Sequence, residues 1–163
     1  MSTNEDIEQV AILADEIWTQ HFTPIIGATQ VDYMLRKYQS PGAIKSQIKD
    51  GAEYYLANLE RAWVGYAGLS TDIDQDKILL SKIYVKSSVQ GKGVGTAIFD
   101  YVESNCVLRK LSSVWLTVNR NNDDAISWYK RRGFVVVDKV KKDIGEGFFM
   151  DDYLMEKLIP PNK

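Results

Sequence analysis

Apolar residues recur with a helical period in the first third of the chain and with a strand period after it. In residues 5–18 the apolar side chains on one helical face are Ile7, Val10, Ala11, Ala14, Ile17 and Trp18. This spacing is the stripe of an amphipathic helix. Thr29 is a candidate N-cap for a second helix, after a break at Pro24 and Gly27, and Ser40 followed by Pro41 is typical of the start of a third.

The rest of the chain alternates between strand and helix patterns. Strands are predicted at residues 54–57, 63–69, 78–85, 114–118, 134–141 and 148–158. Helices are predicted at residues 94–108 and 123–132, the first with its apolar stripe at Val94, Ala97, Ile98, Tyr101 and Val102. One strand–helix–strand unit lies at the centre. The pattern predicts an α/β (α+β) fold of three layers, in which helices cover both faces of a mixed central sheet.

Composition is that of an ordinary globular protein. The chain has 163 residues, 45% of them hydrophobic and 26% charged, which suits one domain with a single core. It contains no apolar run of the roughly 18 residues that span a bilayer, and its acidic start does not resemble a signal peptide. One cysteine allows no internal disulfide and no zinc cluster. These features predict a cytoplasmic protein without a metal or a membrane partner.

A net charge of −2 supplies no general attraction to nucleic acid. It is compatible with a cationic substrate but does not require one. We therefore expect a small-molecule or protein ligand, with no nucleic-acid partner.

A glycine-rich turn, Gln90-Gly91-Lys92-Gly93-Val94-Gly95-Thr96, lies between the third predicted strand and the following helix. The first N–H groups of a helix have no intrahelical acceptor and lie at the positive end of the helix dipole. They therefore form a site for phosphate or pyrophosphate. A turn that only reverses the chain would need the same glycines, so the pattern alone leaves both interpretations open.

Two named phosphate motifs do not fit this turn. A P-loop needs Ser or Thr after its lysine, whereas Lys92 is followed by Gly93. The dinucleotide fingerprint needs a third glycine where this chain has Ile98. A regulator that binds another nucleotide through this turn is therefore disfavoured.

The pattern Gln90-x-x-Gly93-x-Gly95 resembles the pyrophosphate loop of the GNAT superfamily of acetyl-CoA-dependent N-acetyltransferases. About thirty residues later come Trp115-Leu116-Thr117-Val118-Asn119, Asn122-Asp123-Asp124-Ala125-Ile126-Ser127-Trp128-Tyr129 and Arg132-Gly133-Phe134. These resemble the second half of the same signature, and the resemblance extends over residues 60–158. It implies the acyl-CoA N-acyltransferase fold, in which the usual first strand would here be short or absent.

The resemblance also implies roles for individual residues. The residues expected to bind the cofactor, acetyl-CoA, are Ile83, Val85, Gln90, Gly91, Lys92, Gly93, Val94, Gly95, Thr96, Asn122 and Tyr129. Ile83 and Val85 would act through their backbone, pairing with the pantetheine amides. Tyr129 is the expected general acid that protonates the leaving thiolate. Tyr84 would line the acceptor pocket, with apolar walls from Trp18, Phe22 and Tyr33, although packing explains these last three side chains equally well.

Ordinary structural roles compete with these assignments. Tyr129 also fits a core position on an amphipathic helix, Asn122 fits an N-cap, and Tyr84 fits an ordinary strand position. Lys92, Lys130 and Arg132 are either phosphate ligands or solvated side chains. These alternatives stay open at the level of the sequence.

The sequence assigns no general base. The candidates are Glu53, Glu146, Asp151 and Asp152, and His21 has no neighbouring group to suggest a relay. Cys106 falls near the buried face of its helix and is expected to be a small buried hydrophobe. Without a nucleophile constellation, direct transfer to the amine is favoured over a covalent intermediate.

The predicted function is transfer of an acetyl group from acetyl-CoA to a primary amine. Residues 144–157 resemble a bacterial subgroup in which some members acetylate polyamines such as spermidine, which favours a polyamine acceptor over a protein amine. The resemblance also allows a homodimer, because dimers are common among relatives. The alternative is an inactive CoA-binding module that acts as a sensor or scaffold.

Overall fold

A computed structural model of the chain describes residues 3–160. Three helices come first, namely α1 (Asn4–Ile26), α2 (Ala28–Tyr38) and α3 (Pro41–Lys49). The next elements are β1 (Glu53–Leu59), β2 (Ala62–Asp72), β3 (Lys77–Val85), α4 (Val94–Leu108), β4 (Ser113–Asn119), α5 (Asp123–Arg131), β5 (Val135–Gly145) and β6 (Phe148–Leu158). Each predicted element is present, and from Thr3 onward no strand precedes α1.

The ends of the first helices differ from the sequence prediction. Helix α1 continues through Pro24 and ends at Gly27, whose φ of 87° takes the backbone out of the helical region. Of the predicted break at Pro24 and Gly27, the position at Gly27 is confirmed and the position at Pro24 is wrong. Thr29 is not an N-cap either, because α2 begins one residue before it, directly after Gly27. The predicted cap of α3 is confirmed, since the Ser40 side chain accepts a hydrogen bond from the amide of Ala43.

The predicted stripe of α4 is rotated from the observed one. Its buried side chains are Phe99, Val102 and Cys106, whereas Ala97 is exposed and Tyr101 is 50% exposed. Phe99 and Cys106 lie outside the predicted stripe, and Val102 belongs to both stripes. Phe99 is fully buried, so the face that carries the larger aromatic side chain packs inward.

The six strands form one mixed sheet in the order β1-β2-β3-β4-β6-β5. Strands β3 and β4 pair in parallel, whereas β1–β2, β4–β6 and β5–β6 pair antiparallel. Strands of both directions joined by helices confirm the predicted mixed α/β class. The registered pairing of β3 with β4 covers three positions, from Lys77–Ser113 to Leu79–Trp115.

The chain divides into two compact units. The first contains residues 3–70 and 81–101, with α1–α3, β1, most of β2, the second half of β3 and the start of α4. Its core is built by helix residues such as Leu13 and Ile44 and by Tyr54, Tyr66 and Leu69 from the strands. These side chains are at most 2% exposed, so the inner faces of the first two strands and the helices form one apolar core.

The second unit contains residues 71–80 and 102–160. Its core includes Ile78, Leu116, Phe134, Ile144 and Met155, all at most 2% exposed. Strand β4 is paired along its whole length with β6, from Ser113–Leu158 to Asn119–Asp152. Helix α5 follows β4 and ends in a turn at Gly133, where φ is 101°.

Two absences apply to the part of the chain that the structure describes. No helix in residues 3–160 is long and apolar enough to cross a membrane. The same residues contain no group of three or more His, Cys, Asp or Glu side chains placed to hold a metal ion.

Candidate functional site

The glycine-rich turn has a backbone that only glycine adopts readily. Gly91 and Gly93 both have a φ of 83°, in the left-handed region. A Cβ added at either residue would meet no atom within 4 Å. The glycines are therefore needed for the backbone path and not for lack of space. The open space around them leaves room for a ligand to approach the backbone.

The amide groups of this turn fall into two sets. The N–H groups of Gln90 and Lys92 donate to the carbonyls of Ser87 and Val89, in the short 3-10 helix just before the turn, each at 3.2 Å. The first bond into α4 runs from the amide of Ala97 to the carbonyl of Gly93, at 3.0 Å. Amides 94–96 precede it and have no intrahelical acceptor, which is the arrangement that binds an anion at a helix N-terminus. Because their amides are already paired, Gln90 and Lys92 can contact an anion only through their exposed side chains.

The end of β3 lies unusually close to β2. A Cβ on Gly65 would lie 2.6 Å from the carbonyl oxygen of Tyr84 and 3.3 Å from the Cα of Val85. The amide of Lys86 donates to the carbonyl of Val64 at 2.8 Å and closes this pairing. The position of the segment Ile83–Val85 therefore depends on a glycine in the neighbouring strand. Sequence reasoning did not single out Gly65, although an isolated glycine in a strand often marks a close backbone approach.

Tyr84 packs into an aromatic cluster with α1 and β2. Its ring centroid lies 5.5 Å from that of Trp18, 6.1 Å from that of Phe22 and 5.4 Å from that of Tyr66. Trp18 and Phe22 are buried, and Tyr84 is half-buried. The structure thus brings three of the predicted pocket residues together. The fourth, Tyr33, is buried on α2, where its hydroxyl accepts a hydrogen bond from Lys37.

Lys82 is a buried cationic residue that the sequence analysis missed. It is 8% exposed, and burial lowers its pKa to about 7. Its Nζ donates to the carbonyl of Tyr38 at 2.8 Å, to the Oε1 of Gln47 at 2.9 Å and to the hydroxyl of Tyr54. The available signal was a lysine inside the apolar run 78–85, where an inward-facing charge is rare.

Tyr129 lies on α5 and is 8% exposed. Its ring centroid lies 5.6 Å from that of Trp128 and 5.9 Å from that of Phe134. Burial raises the pKa of its hydroxyl, so the group holds its proton at neutral pH. The structure is compatible with both interpretations of Tyr129 from the sequence. Its ring belongs to the core, and its hydroxyl stays protonated, as a general acid requires.

Asn122 occupies the N-cap position of α5, but its side chain forms no capping hydrogen bond. The side chain is 6% exposed. The Asn122 side chain therefore does not cap α5, although the sequence allowed that role. A buried amide at the start of a helix keeps the predicted role in cofactor binding open.

The basic side chains considered for phosphate binding have different environments. Lys92 and Lys130 are exposed. The guanidinium of Arg132 instead donates to Glu103 at 3.0 Å, and the ammonium of Lys157 contacts the same carboxylate. A Cβ on Gly133 would lie 3.2 Å from the Cε of Lys157, so this ion-pair cluster also requires the glycine. Arg132 is thus committed to a structural ion pair.

Asp152 differs from the other three candidate bases. Glu53 accepts a hydrogen bond from Tyr55 at 2.8 Å, Glu146 lies exposed in the β5–β6 turn, and Asp151 pairs with Arg120 at 3.3 Å. Asp152 is only 7% exposed. Burial and the neighbouring Asp151 raise its pKa to about 6, and a hydrogen bond from Thr117 opposes this rise. It combines burial with a pKa near neutrality, which is typical of a catalytic base.

Two further side chains fall outside any reactive arrangement. Cys106 is fully buried, its thiol donates to the carbonyl of Leu111 at 3.3 Å, and burial raises its pKa. It is therefore a small buried hydrophobe, as predicted, and not a thiolate nucleophile. His21 stacks edge-on against Phe22, with ring centroids 4.8 Å apart.

Comparison with known proteins identifies the class to which this fold and turn belong. The family model described as the acetyltransferase (GNAT) family matches residues 13–134, about three quarters of the chain. The chain therefore belongs to the GNAT acetyltransferase family. This result confirms the resemblance that the two halves of the sequence signature indicated.

Individual relatives are distant. The chain is 24% identical over 115 residues to an uncharacterised N-acetyltransferase of Lactobacillus delbrueckii subsp. lactis, covering 67% of this chain and 66% of that relative. In structure it is similar to the PaiA N-acetyltransferase of Thermoplasma acidophilum, solved with coenzyme A, at a TM-score of 0.80 and 22% identity. That match covers 96% of this chain and 94% of the other.

A third relative acts on a protein. The ribosomal-protein-alanine N-acetyltransferase of Brucella melitensis is similar at a TM-score of 0.67 and 21% identity, with 96% of each chain covered. At these identities the structural matches show that the fold is shared. They do not select an acceptor.

Proposed function

We propose that this protein is an N-acetyltransferase that moves an acetyl group from acetyl-CoA directly to a primary amine. The observation that carries the proposal is the turn between β3 and α4. There Gly91 and Gly93 adopt the left-handed backbone, and the first amides of α4 are left available for a diphosphate. Family membership and a relative solved with coenzyme A support acetyl-CoA as the co-substrate.

The backbone of β3 is proposed to hold the thioester arm. Ile83 and Val85 lie directly before the turn, and β3 pairs with β4 over only three positions, ending at Leu79. Backbone N–H and C=O groups beyond that point suit pairing with the pantetheine amides, as an added strand would. Asn122 is proposed to add a side-chain contact to the same arm.

The acceptor amine must lose a proton before it attacks. An alkylamine with a pKa near 10.4 is protonated at pH 7, and forming its neutral form costs roughly 4–5 kcal/mol. Asp152 is proposed as the base that takes this proton, because it is buried and its pKa of about 6 lies near the working pH. A buried carboxylate also favours a cationic acceptor over a neutral one.

Tyr129 is proposed to protonate the departing thiolate. Its raised pKa keeps the hydroxyl protonated at neutral pH, so the group can donate a hydrogen bond, and with it the proton, to the sulfur as negative charge develops there. Cys106 is buried with a raised pKa, which supports direct transfer over an acetyl-enzyme intermediate.

For the acceptor we propose a small cationic amine of the polyamine type, such as spermidine. The support is the resemblance of residues 144–157 to a polyamine-acetylating subgroup, together with the buried carboxylate of Asp152. A protein N-terminus is the second candidate, because one structural relative is a ribosomal-protein-alanine N-acetyltransferase.

The test is release of free thiol from acetyl-CoA. The purified protein is incubated with acetyl-CoA and spermidine, with single amino acids, or with a peptide that begins with alanine. Thiol release that needs spermidine, with mass spectrometry showing acetylspermidine, supports both the activity and the acceptor. Release with the peptide alone moves the acceptor to protein amines. Tight acetyl-CoA binding without thiol release from any acceptor favours the sensor alternative.

A further inference from the structure

Lys82 joins four elements of the first unit at one point. The side chain comes from β3, and its ammonium group donates to the last carbonyl of α2 at Tyr38, to Gln47 of α3 and to the hydroxyl of Tyr54 on β1. The nitrogen also lies 5.0 Å from the centroid of the Tyr54 ring. Lys82 forms no ion pair within the part of the chain that the structure describes. It is a buried cation held by neutral oxygen atoms alone.

The polar groups around Lys82 would still be hydrogen-bonded to one another if the lysine were absent. The carbonyl of Tyr38 also accepts from the Nε2 of Gln47 at 3.0 Å. The Oε1 of Gln47 also accepts from the hydroxyl of Tyr54. The carbonyl and the amide oxygen therefore keep a donor, and the Tyr54 hydroxyl keeps an acceptor, if the lysine is removed. Satisfying buried polar groups does not explain why a lysine is present, and its own desolvation is costly.

The geometry matches the protonated amine. An ammonium group donates three hydrogen bonds, and three oxygen atoms surround Nζ. A neutral amine donates only two hydrogen bonds and can at most accept a third from the Tyr54 hydroxyl, so loss of the proton replaces charge-assisted bonds with weaker neutral ones. The strength of the links between β3 and these elements therefore depends on the protonation of one buried group.

Within residues 3–160, Lys82 makes no hydrogen bond to a carboxylate or an imidazole. The titratable groups that face it are the hydroxyls of Tyr54 on β1 and, beyond it, Tyr66 on β2, and burial raises the pKa of both. Helix α3 contributes the neutral amide of Gln47, and Gln39, directly after α2, accepts from Tyr66 at 3.0 Å. Lys37 at the end of α2 is directed to the Tyr33 and Tyr38 rings. Of Lys82, Tyr54 and Tyr66, it is Lys82 whose pKa lies near neutrality.

Position in the chain links this cluster to the proposed cofactor segment. Lys82 directly precedes Ile83, and Tyr84, on the same face of β3, packs on Tyr66 and Trp18. We propose that Lys82 is a positioning residue for acetyl-CoA, whose charged form fixes β3 against α2, α3 and β1 so that the backbone 83–85 is set for the thioester arm. This inference rests on the proposed function of that backbone.

The first measurement needs no ligand. Isotope-labelled lysine is introduced into the protein, and the Lys82 signal, assigned by its loss in Lys82→Met, is followed by NMR through a pH titration. We expect a midpoint near neutral pH, far below that of the exposed lysines. Tyr54→Phe removes one acceptor of the ammonium and should move the midpoint to lower pH. A Lys82 that stays charged throughout the range overturns the inference.

The second measurement is acetyl-CoA affinity by calorimetry at about pH 6 and about pH 8.5. We expect wild-type affinity to fall about threefold to tenfold more over this range than the affinity of Lys82→Met, because only the wild type loses a charged link. Lys45→Met, the same change at an exposed site on α3, should behave as the wild type. The phosphates of acetyl-CoA also titrate in this range. Their effect on affinity is the same for the wild type and Lys82→Met, so it cancels in the comparison.

The outcomes separate this inference from the proposed function. Equal pH dependence in wild type and Lys82→Met overturns the positioning role alone. Absence of acetyl-CoA binding in the wild type overturns the proposed function and this inference with it. If Lys82→Met does not fold, Lys82→Arg takes its place, because arginine stays charged over the whole pH range, and equal pH dependence of affinity in the wild type and Lys82→Arg overturns the role.

Discussion

The Cβ atom that Gly65 lacks would lie 2.6 Å from the carbonyl oxygen of Tyr84. Real Cβ atoms essentially never come this close to a backbone oxygen, so a side chain at residue 65 must move one strand away from the other. The glycine on β2 thereby sets the position of the β3 backbone at the segment proposed to hold the thioester arm. A residue to which the resemblance assigned no role thus sets the position of the segment expected to hold the cofactor.

Gly65→Ala is therefore expected to weaken acetyl-CoA binding by about tenfold or more, because the displaced segment 83–85 can no longer pair with the pantetheine amides. Calorimetry with acetyl-CoA measures this. Gly42→Ala is the control, since a Cβ there meets no atom within 4 Å and α3 favours alanine. Wild-type affinity in Gly65→Ala would show that this part of β3 does not hold the cofactor.

Gly93→Val should reduce acetyl-CoA affinity through the turn itself. Valine is strained at a φ of 83° and would distort the path of the chain into α4. Gly51→Val is a matched control, because Gly51 also has a positive φ of 107° and open surroundings but lies outside the turn. Both variants should lose stability in thermal unfolding, and only Gly93→Val should lose affinity. Equal affinity in the two variants would contradict the assignment of the turn.

Tyr129→Phe is expected to lower kcat by about a hundredfold with little change in acetyl-CoA affinity, because the ring still packs on Trp128 and Phe134 while the proton donor is gone. Steady-state kinetics with the active amine and calorimetry provide the two values. Tyr101→Phe, at a half-exposed tyrosine of α4, should leave both unchanged. Undiminished turnover in Tyr129→Phe would leave that tyrosine a core residue only.

The elements that were predicted well are those with local signals. Gly91 and Gly93 mark a strand-to-helix turn because their backbone conformation is nearly exclusive to glycine, and α4 begins at Val94 as predicted. Ser40 before Pro41 likewise specifies its own cap. These features depend on a few consecutive residues, so the sequence alone reveals them.

The features that were missed depend on contacts between distant residues. Phe99 competes with Tyr101 for the inner face of α4, and only tertiary packing decides between them. The environment of Lys82 needs Tyr38, Gln47 and Tyr54, which lie 28 to 44 residues away. Asp152 stands out from Asp151 only because one is buried and the other pairs with Arg120. No local pattern carries this information.

Asp152→Asn is expected to lower kcat/KM by about a hundredfold and to remove the acid limb of its pH profile. A base must be deprotonated, so wild-type activity should fall as the pH drops through about 6, the pKa of this carboxyl. Asp151→Asn is the adjacent control and should stay active. Since Asp151 helps to raise the pKa of Asp152, that variant should shift the acid limb to lower pH. An unchanged acid limb in Asp152→Asn would assign the base elsewhere.

Stability should depend on pH through Lys82 in the direction opposite to acetyl-CoA affinity. Its pKa is about 7 in the folded protein and about 10.5 when unfolded, so between these values the unfolded state binds the extra proton. The free energy of unfolding therefore gains a contribution from Lys82 as pH rises from 7 toward 10.5, and loses it as pH falls to 7.

This contribution should be measurable by denaturant unfolding of the wild type and Lys82→Met at a series of pH values. Between pH 7 and pH 9 the wild type should gain about 2 kcal/mol relative to the variant, at 1.36 kcal/mol per unit of pKa difference. Lys82→Met should be at least as stable as the wild type near pH 6, where the buried charge is fully present. A constant difference between the two proteins across this range would mean that Lys82 keeps an ordinary lysine pKa and that acetyl-CoA affinity does not depend on pH through this residue.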